Sequence, residues 1–435
     1  MTLQTSEVFG VSKEPVKSYI ERPNVDDIFK ESLKSDKQIV VYGASKQGKT
    51  ALVSRYLPYD ENIVVRLSPQ TDVIDIYRNI LRNNNVKLLV GESNGTQTSS
   101  RAGIGAKIRA KIPLLGSGEV KAEASSSAGE SSEKQYEEIP INLELPQDVS
   151  EILDRIPNGR KIIILENFHY LTEEKQRQFA FDLRNFQELG IRFIILGVWK
   201  ENNRLVQYNG DLLDRLIEVP VEPWTEKEFH QVIDKGSETL NIKFENNLKN
   251  KIIKSSFSSI GVLQELLKGV CLEAGITQWM KESTSISDNS TLERVCKNKA
   301  EDYTTRHQRA LESIASGNRT TSVVDDIQPL HLLYYLVRVI LSEGYQGLSS
   351  GMQRSVLQEK VQNIHHRGKD VRASDMSNLL HNLAKTQANK KIVPPIIDYD
   401  RSKKSLQIID STFYFFLKHA DLESIAEELQ NPMLS

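Results

Sequence analysis

Cysteine is scarce in this chain: its 435 residues include only Cys271 and Cys296. The two do not form a Cys-x-x-Cys pair and have no spacing typical of a metal site. A disulfide-stapled fold and a cysteine-based metal centre are therefore disfavoured. Two inert thiols in a reducing compartment are the expected state.

Long apolar runs and an excess of one charge are also missing. No uninterrupted apolar stretch approaches the roughly 18 residues of a membrane span, and the N-terminus lacks the charged and apolar regions of a secretory signal. The net charge is −2 with 26% charged residues, so the chain as a whole has no electrostatic signature of nucleic-acid binding. These absences predict a cytoplasmic protein with no membrane partner. The length suits about two to four domains.

The most informative motif that is present begins at residue 43. An apolar strand ending at Tyr42 leads into Gly43-x-x-x-x-Gly48-Lys49-Thr50, and a helical stretch follows. Glycines at this spacing let backbone N–H groups turn inward around a phosphate, and the N-terminus of the next helix adds its positive end. Lys49 would reach the β- and γ-phosphate oxygens, and the Thr50 hydroxyl would ligate Mg²⁺. The alternative is a Gly-Lys-rich surface turn. The residues expected to bind nucleotide are Gly43, Ala44, Ser45, Lys46, Gln47, Gly48, Lys49, Thr50 and Ala51.

Strand and helix signals alternate through the first half of the chain. Short apolar runs at 63–67, 161–165 and 192–196 are separated by helical patterns, such as the i, i+3, i+4, i+7 spacing of Val73–Leu81. Nearly continuous apolar strands between helices predict a parallel sheet that is covered on both faces. We therefore predict an α/β P-loop nucleotide-binding domain.

An acidic residue closes one of these strands. The apolar residues 162–165 are followed by Glu166 and Asn167, a pattern that looks like a Walker B segment. In such a segment the carboxylate holds Mg²⁺ through water, and the next residue orients the attacking water. Because an amide cannot accept a proton, Asn167 predicts weakened general-base catalysis. His169 is either a substitute base or an imidazole that packs a helix, and Glu166 either binds the metal or merely ends a strand.

Residues 91–135 interrupt the domain with a Gly-, Ser-, Ala- and Lys-rich composition that cannot bury much core. Within them, residues 106–112 alternate small or apolar with basic side chains, and residues 119–124 alternate again after a Gly-Ser-Gly turn. This pattern predicts a protruding hairpin with one cationic face, which would contact a neighbouring subunit or a polyanion. A solvated flexible loop is the alternative.

Residues 211–228 complete a recognisable order of motifs. They read Asp-Leu-Leu-Asp-Arg-Leu-Ile-Glu-Val-Pro-Val-Glu-Pro-Trp-Thr-Glu-Lys-Glu, and Thr225 with Glu228 forms a capping box that would open a helical lid. Over about residues 15–275 the chain resembles an AAA+ P-loop ATPase, of the origin-recognition-like and STAND-related signalling branch.

The resemblance implies an arginine that acts in trans. Arg215 matches the arginine that such ATPases insert into the neighbouring subunit's site, where it stabilises charge on the transferring phosphoryl group. The active form would then be an oligomer. A surface ion pair with Asp211 or Asp214 is the alternative role.

Other positions of the family pattern match less fully. Asn202 or Asn203 would be the sensor asparagine, and Arg22 resembles a basic residue that sits near the adenine, although it could equally be solvated. The family's sensor arginine, which follows a glycine of the lid, has no counterpart after Gly261. Together with Asn167, this departure favours a slow switch over a fast motor.

The pattern divides the chain into four parts. Residues 1–224 form the nucleotide-binding domain, 225–280 the helical lid, 281–325 a helical connector and 326–435 an α+β winged-helix domain. In the last part, three helical patterns precede two short strands around a charged turn, which is the winged-helix order. Its role is either duplex DNA binding or protein docking. The basic side chains placed for phosphate contacts are His365, His366, Arg367, Lys369, Arg372, Lys385, Lys390, Lys391, Arg401, Lys403 and Lys404.

From these features we predict an ATP-binding, Mg²⁺-dependent oligomeric switch that hydrolyses ATP slowly and licenses a partner effector, as in antiviral defence. Glu166, Asn167 and Arg215 are the predicted catalytic residues, and Thr50 and Glu166 the metal ligands. The alternative is a DNA-binding, ATP-dependent loader or regulator that uses the winged helix.

Overall fold

The computed structural model describes residues 2–12, 15–90, 108–113, 136–156, 161–317 and 329–433. Its strands are β1 (Gln38–Tyr42), β2 (Ile63–Arg66), β3 (Lys87–Val90), β4 (Ile108–Pro113), β5 (Tyr136–Ile141), β6 (Ile162–Glu166), β7 (Arg192–Gly197), β8 (Leu216–Pro220), β9 (Ile242–Phe244), β10 (Thr284–Ile286), β11 (Met352–Gln353), β12 (Ile397–Asp400) and β13 (Ser405–Ile408).

The α-helices alternate with these strands in the first half of the chain and dominate the second. They are α1 (Thr5–Val8), α2 (Ile28–Leu33), α3 (Lys49–Tyr56), α4 (Val73–Asn83), α5 (Pro146–Arg155), α6 (Glu173–Glu188), α7 (Arg204–Tyr208), α8 (Glu226–Leu240), α9 (Asn246–Ser255), α10 (Ile260–Glu273), α11 (Asn289–Ala315), α12 (Leu332–Leu348), α13 (Arg354–Ile364), α14 (Ala373–His381), α15 (Leu383–Asn389), α16 (Ser411–His419) and α17 (Leu422–Glu428).

The predicted parallel sheet is confirmed. Five parallel strands lie in the order β2-β6-β7-β1-β8, with Val40 opposite Ile195 on one side and Glu218 on the other. All residues of β1 are buried, because helices cover both faces of the sheet. Since the carboxyl ends of parallel strands share one edge, the loop after β1 and the acid that ends β6 lie at the same edge.

A separate antiparallel sheet, in the order β3-β4-β5, flanks this core. The alternating run predicted as one arm of a hairpin is a strand, β4, but it pairs with β3 and β5. Its predicted partner, residues 119–124, lies outside the described residues. Ala110 and Ile112 are buried in the main core, while Lys111 lies 2.9 Å from Glu138, so the cationic face is partly neutralised.

The lid begins as the capping box predicts. The Thr225 hydroxyl accepts from the Glu228 N–H, and the Glu228 carboxylate accepts from the Thr225 N–H, which starts α8. Helices α8, α9 and α10 enclose an apolar core that also receives Phe9 from the N-terminal segment. Cys271 and Cys296 are free and buried in this core, and burial raises the pKa of Cys271 to about 12, which disfavours its reactive thiolate form.

The C-terminal region packs helices against a three-stranded antiparallel sheet in the order β11-β13-β12. The helical pattern at 374–388 is interrupted at Asn382, which separates α14 from α15. Helix α16 is almost wholly buried, as its Phe- and Tyr-rich sequence predicts, and Phe415 enters the core of the lid. In the described part of the chain, no helix has the length and apolarity needed to cross a membrane.

Candidate nucleotide site

The loop between β1 and α3 forms a tight turn at the carboxyl edge of the sheet. Gly43 has φ +151° and Gly48 has φ +87°, values that glycine adopts readily. A Cβ at Gly43 would also lie 2.7 Å from the Cγ2 of Val221. The two glycines thus permit both the turn and its close contact with the strand end, in the strand–loop–helix context that phosphate binding requires.

Lys49 lies inside this loop. Its ammonium donates to the carbonyl oxygens of Gly43 at 2.9 Å and Ala44 at 2.6 Å. Burial lowers the pKa of Lys49 to about 8. The charged form of a lysine that is desolvated and contacts only neutral carbonyls would be stabilised by an anionic phosphate.

Thr50 and Glu166 meet beside the loop. The Thr50 hydroxyl donates to the Glu166 carboxylate at 3.2 Å, and the Tyr59 hydroxyl donates to the same oxygen at 2.9 Å. The other carboxylate oxygen lies 3.1 Å from the guanidinium of Arg66. Hydroxyl and carboxylate oxygens are the hard donors that Mg²⁺ prefers, so this pair fits the predicted metal. Bound Mg²⁺ would neutralise phosphate charge at this position.

Asn167 and His169 lie just beyond the strand. Asn167 has φ 63° and ψ 34°, in the left-handed region that asparagine tolerates better than glutamate, so its backbone supplies a reason for the residue found there. Both ring nitrogens of His169 are shielded from solvent, and burial, with Lys49 and Arg204 nearby, lowers the pKa of this imidazole to about 3. A group of that basicity is a weak general base at neutral pH.

A cavity of about 340 Å³ opens against the loop, and Lys49 and Thr50 are among the residues that line it. The guanidinium of Arg22 lies 3.6 Å from the ring centroid of Trp224 and donates to the Val221 carbonyl at 3.1 Å. Arg22 is therefore fixed rather than solvated, and it lines the cavity together with Gly48 and Ala51. The flat surface of the Arg22–Trp224 pair and the volume of the cavity together suit a purine base.

Sequence reasoning missed several parts of this cavity. Trp224, the segment Gly10–Ser12 and Gln264 of the lid all line it. The position of Trp224 directly before the capping box was a usable signal, because a large aromatic at a domain junction suggests a contact. No local pattern linked the N-terminal segment to the loop.

The lid and the end of β8 hold one side of the phosphate loop. The N–H of Gly261 donates to the Lys46 carbonyl at 2.9 Å. The Glu222 carboxylate accepts from the Ala44 N–H at 2.5 Å and from the Gln47 side chain at 3.0 Å. Glu222 was not among the site residues predicted from sequence.

The C-terminal region holds the other side through Ser45. The Ser45 N–H donates to the Ile409 carbonyl at 2.8 Å, and its carbonyl accepts from the Ser411 hydroxyl at 2.6 Å. The Ser45 hydroxyl donates to the Asp410 carboxylate at 3.2 Å. Asp410 is 1% exposed and pairs with Arg306 at 2.7 Å. All three polar groups of one loop residue are thus bound by a segment some 365 residues further along the chain.

Arg215 lies at the opposite edge of the sheet. It precedes β8, whose first residue stands beside Gln38 at the start of β1, whereas the phosphate loop follows the end of β1. It is 34% exposed and pairs with Glu188 at 3.3 Å, rather than with the aspartates expected from sequence. Within one chain, Arg215 is therefore not brought to the site.

The candidate sensor asparagines lie outside the cavity. The side chain of Asn202 accepts from the Tyr42 hydroxyl at 2.8 Å, and the Asn203 N–H donates to the Glu218 carboxylate at 2.9 Å. Both asparagines are exposed. Their hydrogen bonds shape the turn after β7 and do not point to a nucleotide contact.

Several basic residues of the C-terminal region are engaged within the chain. Arg401 forms two hydrogen bonds to the Glu173 carboxylate, at 3.0 and 2.8 Å, and Lys390 donates to the Gly317 carbonyl at 2.8 Å. Lys403 is exposed, 3.8 Å from Asp400. The predicted phosphate-contact set is thus partly occupied by contacts to the rest of the protein.

No protein-family model matches the sequence, and no curated protein gives a significant match. Among solved structures, the chain is similar to the Walker-type ATPase PAby2304 of Pyrococcus abyssi, at 12% identity and a TM-score of 0.47, over 92% of this chain and 96% of that one. It is similar to Aeropyrum pernix ORC1 in complex with DNA (12%, 0.39, over 92% and 91%) and to Thermotoga maritima RuvB (11%, 0.36, over 92% and 96%). Similarities this distant carry no argument about activity. The chain's own topology gives the fold: a parallel α/β core with a P-loop, followed by a helical C-terminal region.

Proposed function

We propose that this protein is an ATP- and Mg²⁺-dependent oligomeric switch, in which nucleotide at the P-loop releases the C-terminal region to act on a partner effector. The observation that carries the proposal is the hydrogen bonding of Ser45 to the segment Ile409–Ser411. These bonds join the loop directly to the C-terminal region. A change in the conformation of the loop would therefore alter how the C-terminal region is held.

Charge supports the direction of the switch. The pKa of Asp410 is lowered, because burial, which would raise it, is outweighed by Arg306 and His307. Asp410 is therefore an ionised carboxylate beside the loop that would receive an anionic phosphate. Arg306 offsets part of this charge. Like charges in a poorly solvated site disfavour each other, so the remaining negative charge makes nucleotide and the docked segment oppose each other's binding.

Asn167 supports slow hydrolysis, and Arg401 supports a docking role for the C-terminal region. An amide at the base position fits slow hydrolysis, which suits a switch that stays loaded. The paired contact of Arg401 with Glu173 holds the strand turn of the C-terminal sheet against the nucleotide-binding domain. This contact favours a docking role for that surface over duplex DNA binding, which would need the arginine free.

The switch is tested with Asp410→Asn. This change keeps the helix cap of α16 but removes the like charge, so we expect ATP to bind more tightly by about 1 kcal/mol, or about fivefold. Titration with a fluorescent ATP analogue measures the affinity. Hydrogen exchange of Ile409–Thr412 should rise when wild-type protein binds Mg²⁺-ATP.

Asp421→Asn is the matched control, since Asp421 caps α17 in the same way and lies outside the phosphate loop. Its affinity for ATP should equal that of the wild type. Lys49→Ala should bind no ATP and show no change in exchange. Unchanged affinity in Asp410→Asn, combined with unchanged exchange at 409–412 in ATP-bound wild type, would refute the switch.

A further inference from the structure

A second cleft, of about 500 Å³, lies between the nucleotide-binding domain and the C-terminal region. One wall comes from His169–Arg177, another from Glu201–Tyr208, and the third from Leu380–Arg401. It shares no lining residue with the cavity beside Arg22 and Trp224. We call it the interdomain cleft, and its volume is in the range of small-molecule sites.

Three side chains of the cleft have shielded polar atoms without hydrogen-bond partners among the described residues. They are the Oε1 of Gln176, the Nε of Arg204 and both ring nitrogens of His169. Gln176 is only 2% exposed, and its amide nitrogen is already used by the Leu171 carbonyl. Buried polar atoms are nearly always satisfied, and these are shielded even from water. A ligand with matching groups would complete the set by displacing the side chains that cover these atoms.

The unpartnered atoms form a mixed set of donors and acceptors. Gln176 offers an acceptor, and the Arg204 Nε–H offers a donor. His169 is a neutral imidazole, which offers one donor and one acceptor. A ligand must therefore present donors and acceptors along one edge, as the hydrogen-bonding edge of a nucleobase does.

The charges of the cleft are balanced within the protein. Its lining has four basic side chains, Arg177, Arg204, Lys385 and Arg401, and four acidic ones, Glu173, Glu174, Glu201 and Asp398. Arg204 lies 3.0 Å from Asp398, and Arg401 lies 2.8 Å from Glu173. A charged ligand would have to break such pairs, whereas a neutral one would not.

The remaining lining favours a flat ligand. The rings of Tyr170, Tyr208, His381 and Tyr399 come from both domains, and the apolar side chains of Ile392 and Val393 also line the cleft. Aromatic walls with a few convergent polar atoms are typical of sites for planar heterocycles.

We propose that the interdomain cleft binds a neutral nucleobase, carried by a nucleoside without phosphate. Its walls belong to two domains, so an occupant bridges them and holds the C-terminal region against the nucleotide-binding domain. The site is distinct from the P-loop and does not depend on the switch proposed above.

The test measures binding of adenosine, guanosine, cytidine and uridine, each alone, to the full chain by saturation-transfer NMR and calorimetry. At least one nucleoside should bind at low-millimolar concentration or below. Ala384→Phe, which places a ring in the cleft from an exposed position of α15, should weaken that binding by about tenfold or more. His169→Phe keeps a ring but removes both nitrogens and should have the same effect.

Two controls locate the site. Ala274→Phe adds the same ring at an exposed position of the lid outside the cleft and should leave binding unchanged. Trp224→Ala damages the cavity beside Arg22 and should also leave it unchanged. The proposal is overturned if none of the four nucleosides binds. It is equally overturned if binding survives Ala384→Phe and is lost in Trp224→Ala.

Discussion

Lys49 makes a proton-linked prediction at the scale of one residue. Burial lowers its pKa in the free protein to about 8, below the usual value for lysine. Charged Lys49 therefore destabilises the folded state at neutral pH, and this penalty fades as the pH rises from about 8 to 10.5, the usual pKa of lysine. Bound phosphates favour the charged form and raise the pKa again, so ATP binding near that pH should take up part of a proton. Calorimetry in buffers of different ionisation enthalpy measures the uptake.

The pH dependence supplies the control for Lys49. At about pH 6 the lysine is already protonated, so the uptake assigned to it should vanish. Lys49→Arg, if it retains binding, stays charged throughout and should show none near pH 8. Proton release near pH 8 in the wild type would contradict the assignment.

The placement of residues that depends on neighbours in the chain could be predicted from sequence, and contacts between distant segments could not. The P-loop residues and Glu166 follow from short patterns whose chemistry is set by neighbours in the chain. The backbone of Asn167 is left-handed, which explains why asparagine stands at this position. The sequence alone does not show this conformation. The bonds of Ser45 to Ile409 and Ser411 join remote segments, and no local periodicity encodes such a contact.

Helix α8 contains Gly236, although glycine is unfavourable inside a helix. A Cβ at Gly236 would lie 2.2 Å from the ring of Phe9, which is fully buried against this helix. Gly236→Ala should therefore destabilise the lid by about 1–3 kcal/mol through overpacking. In a Phe9→Ala background the clash is gone, and the same change should stabilise α8 by up to about 1 kcal/mol, because alanine favours a helix. Hydrogen exchange of the α8 amides measures both values.

The reversal of sign is the diagnostic result for this contact. Gly210→Ala is the control, since no atom lies within 4 Å of the added Cβ. It should leave the exchange of α8 unchanged in both backgrounds. If Gly236→Ala destabilises α8 equally with and without the ring of Phe9, the N-terminal segment does not pack on the lid as described.

At the scale of elements, strongly patterned segments were predictable and pairing partners were less so. The apolar runs of β1, β6 and β7 and the capping box of α8 are local signals, and the structure confirms them. Strand β4 was also recognised from its alternation. Its pairing with β3 and β5 was not, because register and partner depend on which faces of distant strands are buried together.

The geometry of the whole molecule leads to a prediction about assembly. Arg215 lies at the amino edge of the sheet, and the P-loop lies at the carboxyl edge, so one chain cannot bring them together. If the protein is an oligomeric switch, Mg²⁺-ATP should raise its mass in light scattering without duplex DNA. Arg215→Ala should retain ATP binding but lose hydrolysis by about 10³-fold, because a trans guanidinium stabilises the transferring phosphoryl group.

Complementation tests the trans role directly. Lys49→Ala cannot bind ATP but keeps Arg215, whereas Arg215→Ala keeps the P-loop, so a mixture of the two inactive variants should recover part of the hydrolysis. Arg184→Ala is the matched control, because Arg184 lies on the same edge and also pairs with Glu188. It should hydrolyse ATP at the wild-type rate. A protein that stays monomeric with every nucleotide and assembles only on duplex DNA would instead favour a DNA-bound loader, since its assembly would then follow phosphate contacts rather than nucleotide.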